Sequence, residues 1–188
     1  IGVSVPVEPD NAKICAVTGA SGYVGGRIAR HMTDMGWKVV RLGRHAGADN
    51  VAFRLGDPVA PEALRGCAAL VHCAYDFSPL RWSDIDDVNV KGTARLFEAA
   101  RQAGVRRIVL ISTISAFDGC RSLYGRAKLE MERAAAALGA WASAEANLLP
   151  AASTTARIAA SSVFQRSSWN VFHETQICLS AAWAAIDD

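Results

Sequence analysis

Short apolar runs alternate with amphipathic stretches from Lys13 to Gly139, and this alternation restricts the fold more than any other feature. The runs at 13–18, 38–42, 51–55, 69–73 and 107–112 have the length of buried strands, and the run at 51–55 is the weakest. Strands joined through helices by short connections are typical of a parallel sheet covered on both faces. The sequence therefore predicts a doubly wound α/β domain over residues 13–139.

The predicted helices have recognisable ends. Apolar residues recur at helical spacing from 24 to 35, and Gly36 follows at the position where left-handed backbone is favoured. Ser83 and Asp86 have the form of a capping box, which would open a helix that runs to about residue 103 and ends at Gly104. A further helix is predicted over 122–138, and Gly139 would end it.

The composition changes near residue 140. Residues 140–160 are rich in alanine and serine and show no helix or strand period, and 140–150 is a poor sixth strand. One helix is conceivable over 173–186. We therefore divide the chain into an N-terminal tail (1–12), a main domain (13–139) and a divergent C-terminal segment of uncertain structure (140–188).

Composition and charge exclude several classes of function. The net charge is +2 and the basic residues are scattered, so no nucleic-acid partner is expected. Five cysteines without a C-x-x-C pair favour a reducing compartment over a zinc site or a disulfide framework. No other cluster has metal-ligand spacing, so we expect no metal. No long apolar run or signal segment is present, so we expect a cytoplasmic protein without a membrane segment.

A glycine-rich loop joins the first predicted strand to the first helix. Gly19 permits the tight turn, Gly22 lets the backbone approach a pyrophosphate, and Gly25 lets the helix pack on the sheet. The helix N-terminus then presents N–H groups and a positive dipole end to the phosphates. The alternative is a glycine turn that serves packing alone. We expect cofactor contacts from the residues of this loop: Gly19, Ser21, Gly22, Tyr23, Val24 and Gly25.

The end of the second strand bears on the choice of cofactor. An acidic residue usually holds the ribose 2′-hydroxyl of NAD there, but this chain has Arg41 and Arg44 and no carboxylate before Asp49. Arg44 suits a 2′-phosphate because its planar guanidinium pairs with phosphate oxygens. The alternative is that both arginines are solvated surface charges. We expect NADP, with NAD as the second choice.

Several blocks together resemble a known family. The residues from Thr18 to Gly25 have the pattern Thr-Gly-x-x-Gly-x-x-Gly. Three further blocks follow in order: 56–57 with 70–74, 89–93 with 96–100, and 112–117. Tyr124 and Lys128 then complete a Tyr-x-x-x-Lys motif. This pattern resembles the extended short-chain dehydrogenases/reductases, which include the NAD-dependent epimerase/dehydratases. The resemblance covers about residues 13 to 139 and implies a Rossmann-type NAD(P)-binding domain. It also implies that Asp57 lies by the adenine, that His72 and Ala74 lie beside the cofactor, and that Lys128 binds the nicotinamide ribose.

The catalytic residues that the resemblance implies are Thr113, Tyr124 and Lys128. Tyr124 and Lys128 are four residues apart on a predicted helix and share one face. An ammonium beside the phenol would lower its pKa toward a useful range for proton transfer. Thr113 would orient the substrate oxygen, with Ser112 and then Ser115 as alternatives. The competing interpretation is a chance Tyr-x-x-x-Lys spacing on an exposed helix.

The resemblance implies hydride transfer on a small molecule that bears a hydroxyl or carbonyl group, such as a nucleotide sugar. The alternative is a non-catalytic NAD(P)-binding module or an inactive shortened homologue, because no Arg-Pro segment or substrate domain is recognisable after residue 140. A shortened chain, a reading-frame change near residue 140, or a divergent small homologue would each explain this, and we favour the first two. The resemblance also allows a homodimer through the helices predicted at 83–103 and 122–138.

Overall fold

The computed structural model describes residues 13–47, 50–145 and 153–158. Its strands form one parallel sheet in the order β3-β2-β1-β4-β5-β6. Because β1 pairs with β2 on one side and β4 on the other, the strand order reverses at β1. The strands are β1 (Ile14–Thr18), β2 (Lys38–Gly43), β3 (Asn50–Ala52), β4 (Ala69–His72), β5 (Arg107–Thr113) and β6 (Ser153–Ile158).

Helices connect these strands and cover both faces of the sheet. Alternate residues of each strand point to opposite faces, so the sheet supports two apolar cores. One core packs β1, β4 and β5 against α1, and the other packs them against α3 and α4. This architecture confirms the predicted doubly wound α/β fold. The helices are α1 (Tyr23–Asp34), α2 (Trp82–Ile85), a π-helical turn (Asp86–Val90), α3 (Lys91–Gln102) and α4 (Leu123–Glu145), with a 3₁₀ turn at Pro61–Leu64.

Two of the predicted helix ends are confirmed and one helix start is wrong. Gly36 and Gly104 both have positive φ, as expected after a helix. The capping box is wrong, because α2 begins at Trp82 and Ser83 Oγ donates to Asp84 Oδ1 instead of capping the helix. The expected single helix is also interrupted by the π-helical turn, which hydrophobic spacing does not reveal.

The predictions for the chain beyond residue 138 need correction. Helix α4 continues through Gly139 to Glu145, since the surrounding alanines are strong helix formers and one interior glycine costs only about 1 kcal/mol. A sixth strand does form, although later than the segment considered from sequence: β6 pairs with β5 from Ser153 to Ile158. An edge strand depends strongly on its neighbour, which a local pattern does not report. The conceivable helix at 173–186 lies outside the described residues.

A buried polar network ties β1, β4 and α3 together through His72. The Thr18 hydroxyl lies 2.7 Å from His72 Nδ1, and Thr93 Oγ1 lies 2.9 Å from His72 Nε2. Thr18 Oγ1 also accepts hydrogen bonds from the N–H groups of Cys73 and Ala74, so its own proton goes to Nδ1, and Nε2–H donates to Thr93. His72 is therefore a neutral interior residue.

Both ends of the His72 ring are held by this network. The side chain is fully buried, and both ring nitrogens are hydrogen-bonded to threonines. The contact with Thr18 joins the end of β4 to the end of β1, where the glycine loop begins. Burial, and secondly the Lys128 ammonium, lowers the pKa of His72 to about 3.

We expect His72 to make the fold sensitive to acid. Below about pH 6.5 the unfolded chain protonates this histidine while the folded chain does not, so the free energy of unfolding falls by up to about 1.4 kcal/mol per pH unit down to about pH 3. Urea unfolding at several pH values should show a flatter slope for His72→Asn than for the wild type. The exposed His45 gives a matched control, since His45→Asn should keep the wild-type slope. Equal slopes for His72→Asn and the wild type would refute this assignment.

Candidate active site

The carboxyl ends of β1, β4 and β5 lie side by side and carry three loops, at residues 19–22, 73–81 and 114–122. Open parallel sheets bind their ligands at this edge, in the crevice where the strand order reverses. Here the crevice lies between β1 and β4. These loops contain Gly19, Ser21, Gly22 and Ala74 of the residues singled out from the sequence, and most of the others lie in the helices and strands that the loops join.

The glycine loop has a compact shape that side chains would prevent. Gly19 has a φ of +66°, and a Cβ there would lie 3.0 Å from the Ala74 nitrogen. A Cβ on Gly25 would lie 2.3 Å from the Gly19 carbonyl oxygen, which is closer than real contacts permit. The Gly22 N–H donates to that same oxygen at 2.9 Å. The loop therefore depends on glycine at both ends and packs directly on the loop after β4.

The start of α1 is suited to an anion. Gly22 is the N-cap, no side chain caps the helix, and the first turn carries no acidic residue. Helix N-termini leave N–H groups without intrahelical partners, and the helix dipole adds positive potential. Ser21 and Tyr23 are exposed beside this terminus, and Val24 is partly exposed. These residues fit the pyrophosphate of a dinucleotide and would hold it.

A group of charged side chains follows the carboxyl ends of β2, β3 and β4. Arg44 is exposed just after β2, and Asp57 is exposed in the turn after β3. Hydrogen bonds from Ser78 lower the pKa of Asp76, and the charges of Arg54 and Arg44 lower it further. Arg44, Arg54 and Asp76 therefore share one rim, and Arg54 was not singled out from the sequence.

Tyr124 and Lys128 lie one turn apart on α4, as their spacing predicted, but Lys128 is directed toward the sheet. Lys128 is 3% exposed, and its Nζ donates to the Ile111 carbonyl at 2.9 Å. Burial lowers the pKa of Lys128 to about 8, although the nearby Cys73 and Glu132 oppose this shift. The expected lowering of the Tyr124 pKa is not found, because burial raises the pKa of Tyr124 in this structure.

The two hydroxyl candidates at the end of β5 have different partners. The Ser112 hydroxyl donates to Glu132, a buried carboxylate on α4. Thr113 is the last residue of β5, and its hydroxyl oxygen accepts a longer hydrogen bond, 3.3 Å, from the Ser115 N–H. Both side chains are buried. Ser112 is thus engaged within the core, while the Thr113 hydroxyl is bonded to the loop at the rim.

Two aromatic residues beside Tyr124 were missed by sequence reasoning. The Tyr75 ring meets the Tyr124 ring edge-on with centroids 4.9 Å apart, and the Phe77 ring stacks on Tyr124 at 5.6 Å. Both residues follow β4, a central strand that ends at the ligand-binding edge, and this position was the available signal. Tyr124 therefore lies in an aromatic cluster formed by Tyr75, Phe77 and Tyr124.

Solved structures resemble the described fold. The UDP-N-acetylglucosamine 4-epimerase from Bacillus cereus is 25% identical with a TM-score of 0.60, over 77% of this chain and 59% of that protein. WbmH from Bordetella bronchiseptica, solved in complex with NAD⁺, has a TM-score of 0.62 at 21% identity, over 78% of this chain and 56% of that one. The second likeness shows the fold alone.

Sequence comparison identifies the family. The sterol-4-alpha-carboxylate 3-dehydrogenase, decarboxylating, of Mus musculus is 33% identical over 129 residues, which are 63% of this chain and 35% of that enzyme. The chain thus spans about a third of the length of this relative. The family model described as "NAD dependent epimerase/dehydratase family" matches residues 15–149. Together with the glycine loop and the Tyr124/Lys128 pair on a parallel sheet, this match shows that the chain belongs to the NAD-dependent epimerase/dehydratase family.

Proposed function

We propose that this chain is the cofactor-binding and catalytic part of an NADP-dependent oxidoreductase, with Thr113, Tyr124 and Lys128 as its catalytic residues. The observation that carries the proposal is the arrangement of Tyr124 and Lys128 at the same sheet edge as the glycine loop. As domains, we propose a tail at 1–12, the dinucleotide-binding domain at 13–139 and a divergent C-terminal segment at 140–188, which contributes β6 to the sheet of the domain. Residue 139 lies within α4, so the boundary reflects composition rather than a helix end.

The chemistry follows from the positions of the side chains. The nicotinamide ring, when bound, supplies or accepts a hydride at the carbon that bears the substrate oxygen. The Tyr124 hydroxyl donates a proton to that oxygen in reduction, and the Tyr124 phenolate accepts that proton in oxidation. The Thr113 hydroxyl orients the same oxygen from the end of β5. The buried Lys128 ammonium favours the ionised form of Tyr124 once the two groups approach, and it can hydrogen-bond the cofactor ribose.

Two substrate classes are supported by different observations. A nucleotide sugar is suggested by the family and by the name of the Bacillus cereus epimerase. An apolar ring system is suggested by the name of the mouse sterol dehydrogenase and by exposed apolar side chains on the loops after β4 and β5. Phe77 is 71% exposed and Leu80 is 83% exposed, and Ile114 and Phe117 are exposed on the neighbouring loop. Because large exposed apolar side chains on one rim favour an apolar ligand, we rank the ring system first.

The cofactor preference is tested by removing Arg44. We expect Arg44→Gln to weaken NADPH binding about tenfold or more and to leave NADH binding unchanged, because only NADPH has a 2′-phosphate for the guanidinium to pair with. Titration followed by nicotinamide fluorescence measures both affinities. Arg65→Gln is a matched control. It removes the same charge from a residue just before β4, at the amino ends of the strands and away from the crevice. Equal losses for both cofactors, or tighter binding of NADH than NADPH by the wild type, would contradict the proposal.

Catalysis is tested with two panels of substrates. We expect NADPH-dependent reduction of cyclic apolar ketones to exceed turnover of UDP-sugars. Tyr124→Phe should lower kcat by about a hundredfold or more, because the proton donor is lost, and should leave the NADPH affinity unchanged. Loss of NADPH absorbance measures ketone reduction, whereas turnover of UDP-sugars is measured by product analysis after incubation with NADP⁺, because epimerisation and dehydration return the cofactor to its starting oxidation state. Preference for UDP-sugars would support the nucleotide-sugar class. Cofactor binding without turnover of either panel would favour the alternative, a non-catalytic NAD(P)-binding module or an inactive shortened homologue.

We further propose that two chains pair through α3 and α4. A groove of about 410 Å³ lies between these helices, lined in part by Ala94, Phe97 and Ala137. Light scattering on a sizing column should show a dimer, and Ala137→Glu should give a monomer because it adds a bulky carboxylate to a groove that already holds the Glu98–Arg101 ion pair. Ala136→Glu is a matched control on the same helix, since Ala136 is exposed and does not line the groove. A monomeric wild type would refute the pairing.

A further inference from the structure

Tyr75 contacts each of the two side chains to which the reaction is assigned. Its ring lies edge-on to the Tyr124 ring with an interplanar angle of 79°, and Lys128 Nζ lies 5.4 Å from the Tyr75 centroid. Phe77 touches the Tyr75 ring at 4.7 Å and the Tyr124 ring at 5.6 Å, so the three rings contact one another in pairs. Tyr75 therefore pairs with both Tyr124 and Lys128.

The segment that carries Tyr75 is held rigidly by a buried amide. Asn89 is fully buried in the π-helical turn. Its Oδ1 accepts a hydrogen bond from the Asp76 N–H at 2.8 Å, and its Nδ2 donates to the Asp76 carbonyl at 3.0 Å. This two-point contact fixes the backbone between Tyr75 and Phe77. Both rings are therefore presented to Tyr124 from a fixed position rather than from a free loop.

Tyr75 is suited to positioning rather than to proton transfer. Burial, and then the neighbouring Tyr124 and Asp76, raises the pKa of Tyr75 to about 12, so its phenol stays protonated where enzymes work. The ring has two uses that do not need the hydroxyl. Its face attracts the ammonium of Lys128, and its interplanar geometry with Tyr124 is a favoured aromatic arrangement. Both contacts orient groups that must meet the substrate oxygen and the cofactor.

We propose that Tyr75 is a positioning residue whose ring fixes the orientation of Tyr124 and supports the buried Lys128 ammonium. This inference rests on the proposed function of Tyr124 and Lys128 and adds a residue to that site. The proposal assigns this role to the ring and not to the hydroxyl. Tyr75→Phe should therefore keep Tyr124 oriented, whereas Tyr75→Leu, with an aliphatic side chain, should not. Tyr75→Phe and Tyr75→Leu are therefore the informative pair.

The first experiment needs no substrate. The chain has three tyrosines, so ring-labelled tyrosine gives three sets of NMR signals, which Tyr→Phe variants assign. In the full chain, with and without NADPH, we expect the Tyr124 signals to keep their ring-current shift in Tyr75→Phe. In Tyr75→Leu the loss of the Tyr75 ring current shifts these signals by itself, so the informative readout is the NOE between the Tyr124 and Phe77 rings. We expect this NOE to persist in Tyr75→Phe and to weaken in Tyr75→Leu, while the affinity for NADPH stays within about twofold. An undiminished NOE between Tyr124 and Phe77 in Tyr75→Leu would overturn the proposal.

The second experiment measures turnover of the best ketone from the panel described above. We expect Tyr75→Leu to lower kcat about tenfold with little change in the KM for NADPH, and Tyr75→Phe to restore most of the turnover. The control is Trp82→Ala. Trp82 lies on α2, and its ring packs at 3.7 Å on the guanidinium of Arg126, which is on α4 with Tyr124. This pair lies outside the aromatic cluster. The control variant should change neither the Tyr124 signals nor kcat.

The outcomes separate the two proposals. If neither panel is turned over, the proposed function fails, and the NOE between Tyr124 and Phe77 alone decides whether Tyr75 orients Tyr124. If turnover is found but Tyr75→Phe is as slow as Tyr75→Leu, the hydroxyl rather than the ring is required, and the positioning role is wrong. If Trp82→Ala has the same effects as Tyr75→Leu, the response is general to α4 and the inference is also overturned.

Discussion

The parallel pairing of β1 with β2 on one side and β4 on the other is the constraint on which the rest of the structure depends. It places the reversal of strand order at the centre of the sheet and so opens a crevice at the carboxyl ends. The chain can leave β1 and enter α1 directly only because Gly19 takes a positive φ and Gly25 lets the helix approach the Gly19 carbonyl. A larger residue at either position would move the helix N-terminus away from the crevice.

Buried polar contacts then arrange the loops around that crevice. A polar group that leaves water must find a partner, and each partner fixes a position. Thr18 and His72 join the ends of β1 and β4 and fix the start of the loop at Ala74. Asn89 holds the next part of the same loop at Asp76, and Lys128 ties α4 to the carbonyl of Ile111 on β5. The groups proposed for catalysis thus rest on a framework of buried hydrogen bonds.

In the described part of the chain, no helix is long and apolar enough to cross a membrane.

Much of the fold could be predicted because its signals are local. The buried strands are continuous apolar runs, and the glycines after α1 and α3 mark ends that need left-handed backbone. The predictions that failed involve competition between local and distant effects. Gly139 does not end α4 because its alanine-rich surroundings favour helix, and β6 forms beside β5 although its own sequence has no clear period. Ser83 looks like a cap, but the helix begins one residue earlier.

The sequence by itself determined the alternation of strands and helices as far as α4, the glycine loop, and the presence of Tyr124 and Lys128 one turn apart on a helix. These features depend on residue type and short spacing, which the chain specifies directly. Only the tertiary structure decided which distant side chains meet. Thr18 and His72 are 54 residues apart, yet they meet in a hydrogen bond that holds the His72 ring in the interior. Likewise, burial among rings from another segment raises the pKa of Tyr124, because desolvation depends on everything that surrounds the phenol and not on the spacing to Lys128.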